Sequence, residues 1–86
     1  MTTKVKVLYF ASLREAVGRS AEEFALPAGV STVGALRAHL AERGEGWQAL
    51  DAGRNVRAAL NQRMVGAEAP VAAGDEVAFF PPVTGG

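Results

Sequence analysis

The first stretch of the chain alternates. Val5, Val7 and Tyr9 are separated by Lys4, Lys6 and Leu8, a period of two that predicts a half-buried strand. Leu8 and Phe10 break the polar face that the two lysines begin. Ala11 to Val17 suits a short helical turn closed by Gly18. Glu22 to Leu26 reads as a second strand with Phe24 and Leu26 on one face, and Pro27-Ala28-Gly29 turns the chain. The two strands can pair as a hairpin. The period then becomes helical. Val33, Leu36 and Leu40 lie on one stripe, after Ser31 or Thr32 as the N-cap. Ala35, Ala38 and Ala41 favour this helix, while Gly34 weakens its first turn. Arg43 is expected in the last turn and Gly44 at the C′ position.

Glu45 to Gly53 carries no regular period, and Trp47 and Leu50 are expected to seal one end of the core. Val56 to Leu60 is a third strand and Met64-Val65 begins a fourth. Asn61-Gln62 between them makes a tight turn, because Asn tolerates a positive φ. Gly66 to Ala73 is a loop, Gly74-Asp75 a turn, and Glu76 to Phe80 the last strand. The order is ββαβββ, an α+β fold with one main helix on one mixed sheet. Residues 1–80 are expected to form one domain and 81–86 a tail. By alternation, Val5, Val7 and Tyr9 point to the helix, and Leu8 and Phe10 point away. With Val77 and Phe79 inward, Ala78 and Phe80 face outward.

Composition narrows the function classes. The 86 residues fit one small domain, and 49% hydrophobic content is enough for a core. Nine basic and nine acidic residues balance to zero, against the basic excess of a nucleic-acid binder. The absence of Cys excludes disulfides, thiolate metal or iron–sulfur ligation and a thiol nucleophile. No stretch is long and apolar enough to cross a bilayer as a helix, and the N-terminus lacks the pattern of a signal peptide. A cytoplasmic protein without a membrane partner is expected. His39, the one His, reads as a helix-surface residue, and no metal or bound cofactor is expected. Ser12, Ser20 and Ser31 have no nucleophile context. Asp75 and Glu76 are neighbours on opposite faces rather than an acid/base pair. Gly44-Glu45-Gly46 follows a helix, unlike a phosphate loop, which precedes one. Arg14, Arg54, Arg57 and Arg63 read as solvated side chains.

The chemistry is at the other end. With Gly86 as the last residue, Pro81-Pro82-Val83-Thr84-Gly85-Gly86 forms a tail bearing a carboxylate. The two prolines lack an N–H and hold the backbone extended. Six residues reach about 20 Å, and Gly85-Gly86 can pass a channel too narrow for a side chain. An ionised carboxylate is a poor acyl donor. Adenylation by an ATP-dependent enzyme gives it a good leaving group, after which a sulfur donor yields a thiocarboxylate or an amine yields an amide. Neither route needs a catalytic side chain from this chain.

Val7-Leu8-Tyr9-Phe10-Ala11, with Arg14-Glu15 and Gly18, resembles the small subunit of molybdopterin synthase. Ala59-Leu60-Asn61-Gln62 and the block Gly74-Asp75-Glu76-Val77-Ala78-Phe79-Phe80-Pro81-Pro82-Val83-Thr84-Gly85-Gly86 are similar to it too. The resemblance implies a ubiquitin-like β-grasp of about five strands, in which the first and last strands are neighbours. It implies a sulfur carrier in molybdenum cofactor biosynthesis. Gly86 would be adenylated by an E1-like enzyme and converted to a thiocarboxylate by a sulfur donor system. The tail, Pro81 to Gly85, would insert into the large subunit, in a heterotetramer, and deliver sulfur to cyclic pyranopterin monophosphate. Leu8, Phe10 and Phe80 would then form one apolar patch at the base of the tail that docks on partners. Two other readings stay open: a carrier for another acceptor, such as thiamine, cysteine or tRNA thiolation, and a ubiquitin-like modifier joined to lysines. The thiamine carriers are shorter and generally lack the Phe-Pro-Pro element.

Overall fold

The computed structural model describes residues 4–51 and 55–82. Five strands form one mixed sheet: β1 (Lys4–Tyr9), β2 (Ala21–Ala25), β3 (Arg57–Leu60), β4 (Arg63–Val65) and β5 (Glu76–Phe80). Their order across the sheet is β2-β1-β5-β3-β4. β1 and β5 run parallel in the centre, and every other pairing is antiparallel. The first and last strands are thus neighbours, as a β-grasp requires. Helix α1 (Ala11–Val17) follows β1, and helix α2 (Val33–Ala41) packs its Val33, Leu36 and Leu40 into the core.

Alternation sets the inner face. Val5, Val7, Tyr9, Val77 and Phe79 are buried beneath α2, with Ala58 and Leu60 packed against them. Asn61 and Gln62 make the tight β3–β4 turn, with φ of 50° and 72°, the mirror-image turn that matches strand twist. Asn61 does more than turn the chain. Its side-chain carbonyl accepts from the Glu76 N–H at 2.9 Å and its amide donates to Asp75 at 3.1 Å. The hairpin is thereby tied to the start of β5.

Thr32 caps α2, its hydroxyl accepting from the Ala35 N–H at 3.1 Å; Ser31 is not the cap. The next donors are taken by the loop that precedes β5: Val33 N–H reaches the Ala69 carbonyl at 2.9 Å and Gly34 N–H the Ala67 carbonyl at 2.8 Å. A Cβ on Gly34 would stand 2.9 Å from that of Ala67. Glycine is present for this close approach, which outweighs its lower helix propensity.

Five boundaries differ from the sequence reading. β4 begins at Arg63 rather than Met64. β2 spans Ala21–Ala25 rather than Glu22–Leu26, because its pairing register with β1 runs from Leu8–Ala21 to Lys4–Ala25. β3 begins at Arg57 rather than Val56. Within Glu45 to Gly53, Trp47–Leu50 forms a 3-10 helix, with Trp47 and Leu50 buried as expected. Helix α2 ends at Ala41 with Glu42 as its C-cap, so Arg43 is outside the last turn and Gly44 is not C′.

Arg43 leaves the helix for a better site. Its guanidinium donates to Glu22 at 2.9 Å and 3.1 Å and lies over the rings of Phe24 and Trp47, at 4.6 Å and 4.7 Å. Glu22 also accepts from the Tyr9 hydroxyl at 2.8 Å and from Arg19 at 3.3 Å. Tyr9 sits edge-on to Trp47 at 5.5 Å. This network pins β1, β2 and the segment after α2 together. It also requires Gly46, whose φ of 90° and contact with the Ala16 carbonyl leave no room for a Cβ.

Candidate functional site

The outer face of the sheet is read from the pairing register. One row crosses all five strands: Ala21, Leu8, Ala78, Ala59 and Met64 are successive partners. None carries a charge. The row toward the start of β5 is Glu23, Lys6 and Glu76, which is charged throughout. The row toward the end of β5 holds Phe80 opposite Arg57, and Phe10 continues the β1 register beside it. The Phe10 N–H donates to the Phe79 carbonyl at 3.1 Å, extending the parallel ladder by one bond. The outer face is therefore apolar, save for Arg57, on the side where β5 leaves the sheet and ionic on the other.

Leu8 and Phe80 are half-buried, and Phe10 is 46% exposed. All three lie on this face, as alternation predicts. Met64, 61% exposed, was not legible as part of it. Its place depends on the β3–β4 pairing, which puts it beside Ala59, and the short run Met64-Val65 has no period of its own. Ala78 is expected outward and is there, yet it is 9% exposed because its row neighbours Leu8 and Ala59 cover it.

Phe10 is aimed by a strained turn. It caps α1 in an extended conformation, with φ −121° and ψ 153°, and Ala11 follows with φ 53°. An L-residue there costs about 1–2 kcal/mol. The bend reverses the chain at once into α1, where Leu13 is buried, and leaves Phe10 on the outer face.

Pro81 and Pro82 follow β5 and are half-buried. Val83, Thr84, Gly85 and Gly86 lie outside the described residues. Among the described residues no polar side chain besides Tyr9 and Trp47 is buried, and no three His, Asp or Glu side chains are grouped to hold a metal. His39 is exposed, with its ring 5.5 Å from Phe24. Burial raises the Tyr9 hydroxyl far above the ordinary tyrosine range, with Glu22 adding to the effect. It is a fixed donor, not a base. A cleft of about 190 Å³ lies on the helix side, lined by Val33, Gly34, Val56, Ala58 and Phe79. Its Arg37 donates to the Leu50 and Asp51 carbonyls at 2.6 Å and 2.7 Å, and so ends the 3-10 helix.

Comparison with known proteins agrees with this geometry. Residues 7–86 match the ThiS family. The chain is 52% identical to the molybdopterin synthase sulfur carrier subunit of Escherichia coli K12, over 95% of this chain and 99% of that one. It is also similar to a solved Pyrococcus furiosus chain described as molybdopterin converting factor subunit 1, at TM-score 0.76 and 35% identity over 95% of this chain and 100% of that one. A complex of subunits 1 and 2 of the Helicobacter pylori molybdopterin-converting factor contains a chain at TM-score 0.65 and 26% identity, over 96% and 99%. The small archaeal modifier protein 1 of Haloferax volcanii matches at TM-score 0.74 and 28% identity, over 94% and 99%. Carriers and modifiers thus share this fold, and the two highest of these identities, 52% and 35%, lie with molybdopterin synthase or converting-factor subunits. The chain belongs to the ThiS family, among the small, sulfur-carrying subunits of molybdopterin synthase.

Proposed function

We propose that this chain is the sulfur carrier of molybdopterin synthase and that Gly86 is its one reacting residue. The observation that carries the reading is the outer face. The strand that ends in the Gly-Gly tail leaves the sheet beside Phe10, Phe80 and a five-strand apolar row. A partner seated there receives the tail directly, and an apolar face of this kind marks an interface.

The cycle follows from carboxylate chemistry. An E1-like enzyme joins Gly86 to the α-phosphate of ATP and releases pyrophosphate. Sulfur supplied at the sulfide level attacks the acyl carbon, AMP departs, and a thiocarboxylate remains. In the large subunit that sulfur attacks a carbon of cyclic pyranopterin monophosphate, and the carbon-bound oxygen it displaces leaves with a proton. Water then cleaves the acyl–sulfur bond and restores the carboxylate. A dithiolene holds two sulfurs, so two loaded carriers serve each product, which suits a heterotetramer of two small and two large subunits. The domain supplies position and docking, not acid, base or metal. It works in the cytoplasm.

Intact mass after incubation with ATP, the activating enzyme and a sulfur source tests the reading. The expected shift is sulfur for oxygen at the C-terminus, discharged when the large subunit and precursor are added. Attachment of a second protein through Gly86 would instead establish a modifier. Loading without discharge would point to another acceptor.

A further inference from the structure

Among the described residues, the tail-side rim of the outer face holds a cation that the fold does not use, whereas Lys6 on the opposite rim stands between Glu23 and Glu76. Arg57 opens β3 and pairs with Phe80. Inward positions on this strand are Ala58 and Leu60, which pack on the core, so alternation puts Arg57 on the outer side with Ala59. It is exposed, and among the described residues its guanidinium makes no hydrogen bond, ion pair or ring contact. The contrast with Arg19, Arg37 and Arg43 is direct, since each of those is engaged by Glu22 or by backbone carbonyls. Facing partners on an antiparallel pair are about 4.5–5.5 Å apart, so the guanidinium stands at the rim of the Phe10–Phe80 patch where the tail departs. The opposite rim, Glu23, Lys6 and Glu76, mixes both signs. The tail-side rim therefore carries the distinctive charge.

We propose that Arg57 is a specificity-determining residue of the docking face, and that it meets a carboxylate of the large subunit beside the opening that admits the tail. The inference rests on the sulfur-carrier reading. Distance decides which group Arg57 serves. Six residues at full extension would carry Gly86 about 20 Å from Phe80, well beyond an arginine side chain anchored next to that residue. Arg57 therefore does not touch the reacting carboxylate or its adenylate when the tail is inserted. It acts at the mouth, where a rim charge steers association and fixes register more than it adds affinity.

Association with the large subunit, followed by stopped-flow at 50 and 500 mM NaCl, tests this. Arg57→Gln should slow association about threefold and Arg57→Glu about tenfold at the lower salt, and both should converge on the wild-type rate at the higher salt. Arg57→Lys should restore most of the rate. Arg63→Glu is the control: it makes the same change of net charge on an exposed residue, but its partner Leu60 places it on the helix side of the edge strand. A wild-type rate for Arg57→Glu overturns the proposal. So does equal slowing by Arg63→Glu, which would mean net charge alone, or slowed adenylation with unchanged association, which would move the contact to the activating enzyme. Failure of the wild-type chain to bind the large subunit would instead refute the function on which the proposal rests.

Discussion

Both faces of the sheet carry apolar side chains, but only one is covered. On the helix side, Val7, Leu36, Leu40, Leu50, Val77 and Phe79 have no exposed surface. On the outer side, Leu8 and Phe80 are half-buried while Phe10 and Met64 are largely open. The inner face holds the fold together. The outer face leaves apolar surface in water, at a cost of about 25 cal/mol per Å², a cost that a docked partner would remove. Mutations should therefore separate stability from docking according to the side on which they fall.

The largest effect is expected on the covered side. Leu36→Ala should lower the unfolding free energy by about 3 kcal/mol, since it deletes a fully buried side chain and leaves a cavity between α2 and the sheet. Urea unfolding followed by Trp47, the one tryptophan, measures it. At temperatures where the variant stays folded, affinity for the large subunit should be unchanged. A loss below about 1 kcal/mol would mean that the helix side is not the anchor.

Phe80→Ala sharpens the comparison from the other side. It should cost about 1 kcal/mol in stability, because part of the ring is already in water. Affinity for the large subunit should fall at least tenfold, as for an aromatic anchor at the centre of an interface. A Phe80→Ala protein with wild-type affinity and sulfur discharge would refute the docking role of this face.

The two faces were unequally legible in the sequence. Alternation alone placed Val5, Val7, Tyr9, Val77 and Phe79 inward and Leu8, Phe10 and Phe80 outward, and it did so because side chains on a strand have a strict period of two. The α2 stripe and the Asn61-Gln62 turn were legible for equally local reasons. What could not be read was anything set by pairing between distant segments. Met64 joins the outer row only through β4, and Arg57 reaches Phe80 only through the β3–β5 register. Arg43 looked like a last-turn cation until Glu22 and Phe24 of β2 and Trp47 of the 3-10 helix offered it a network from two other segments.

That network gives a pH test of the covered side. Tyr9 is the only tyrosine, so absorbance near 295 nm reports it alone. In the folded chain, burial and Glu22 hold its ionisation far above the usual value of 10.0. In the unfolded chain it ionises near 10. Above that pH the folded state binds more protons than the unfolded one. Stability is therefore fully present below pH 10 and falls as pH rises beyond it, by about 1.4 kcal/mol per unit for this group. Tyrosinate should appear only together with unfolding. Ionisation near pH 10 in the folded protein would show that Tyr9 is open to water and that the Glu22 network does not close the sheet end.

The smallest effect is expected where the two faces meet. Ala11 turns the chain from β1, with Tyr9 buried, into α1, and its φ of 53° leaves Phe10 on the outer face. Ala11→Gly removes steric strain of about 1–2 kcal/mol but adds unfolded-state entropy of about 0.4–1 kcal/mol. The net should be a gain of about 0.5 kcal/mol. Two anchors still hold Phe10 after the change: its N–H on the Phe79 carbonyl, and its carbonyl, which accepts from Leu13 and Arg14 at 3.1 Å and 3.4 Å. Association with the large subunit should consequently change less than twofold. A gain in stability with a much slower association would reverse the order of causes. The strain at Ala11, and not the ladder of β1 on β5, would then be what keeps the outer face ready for its partner.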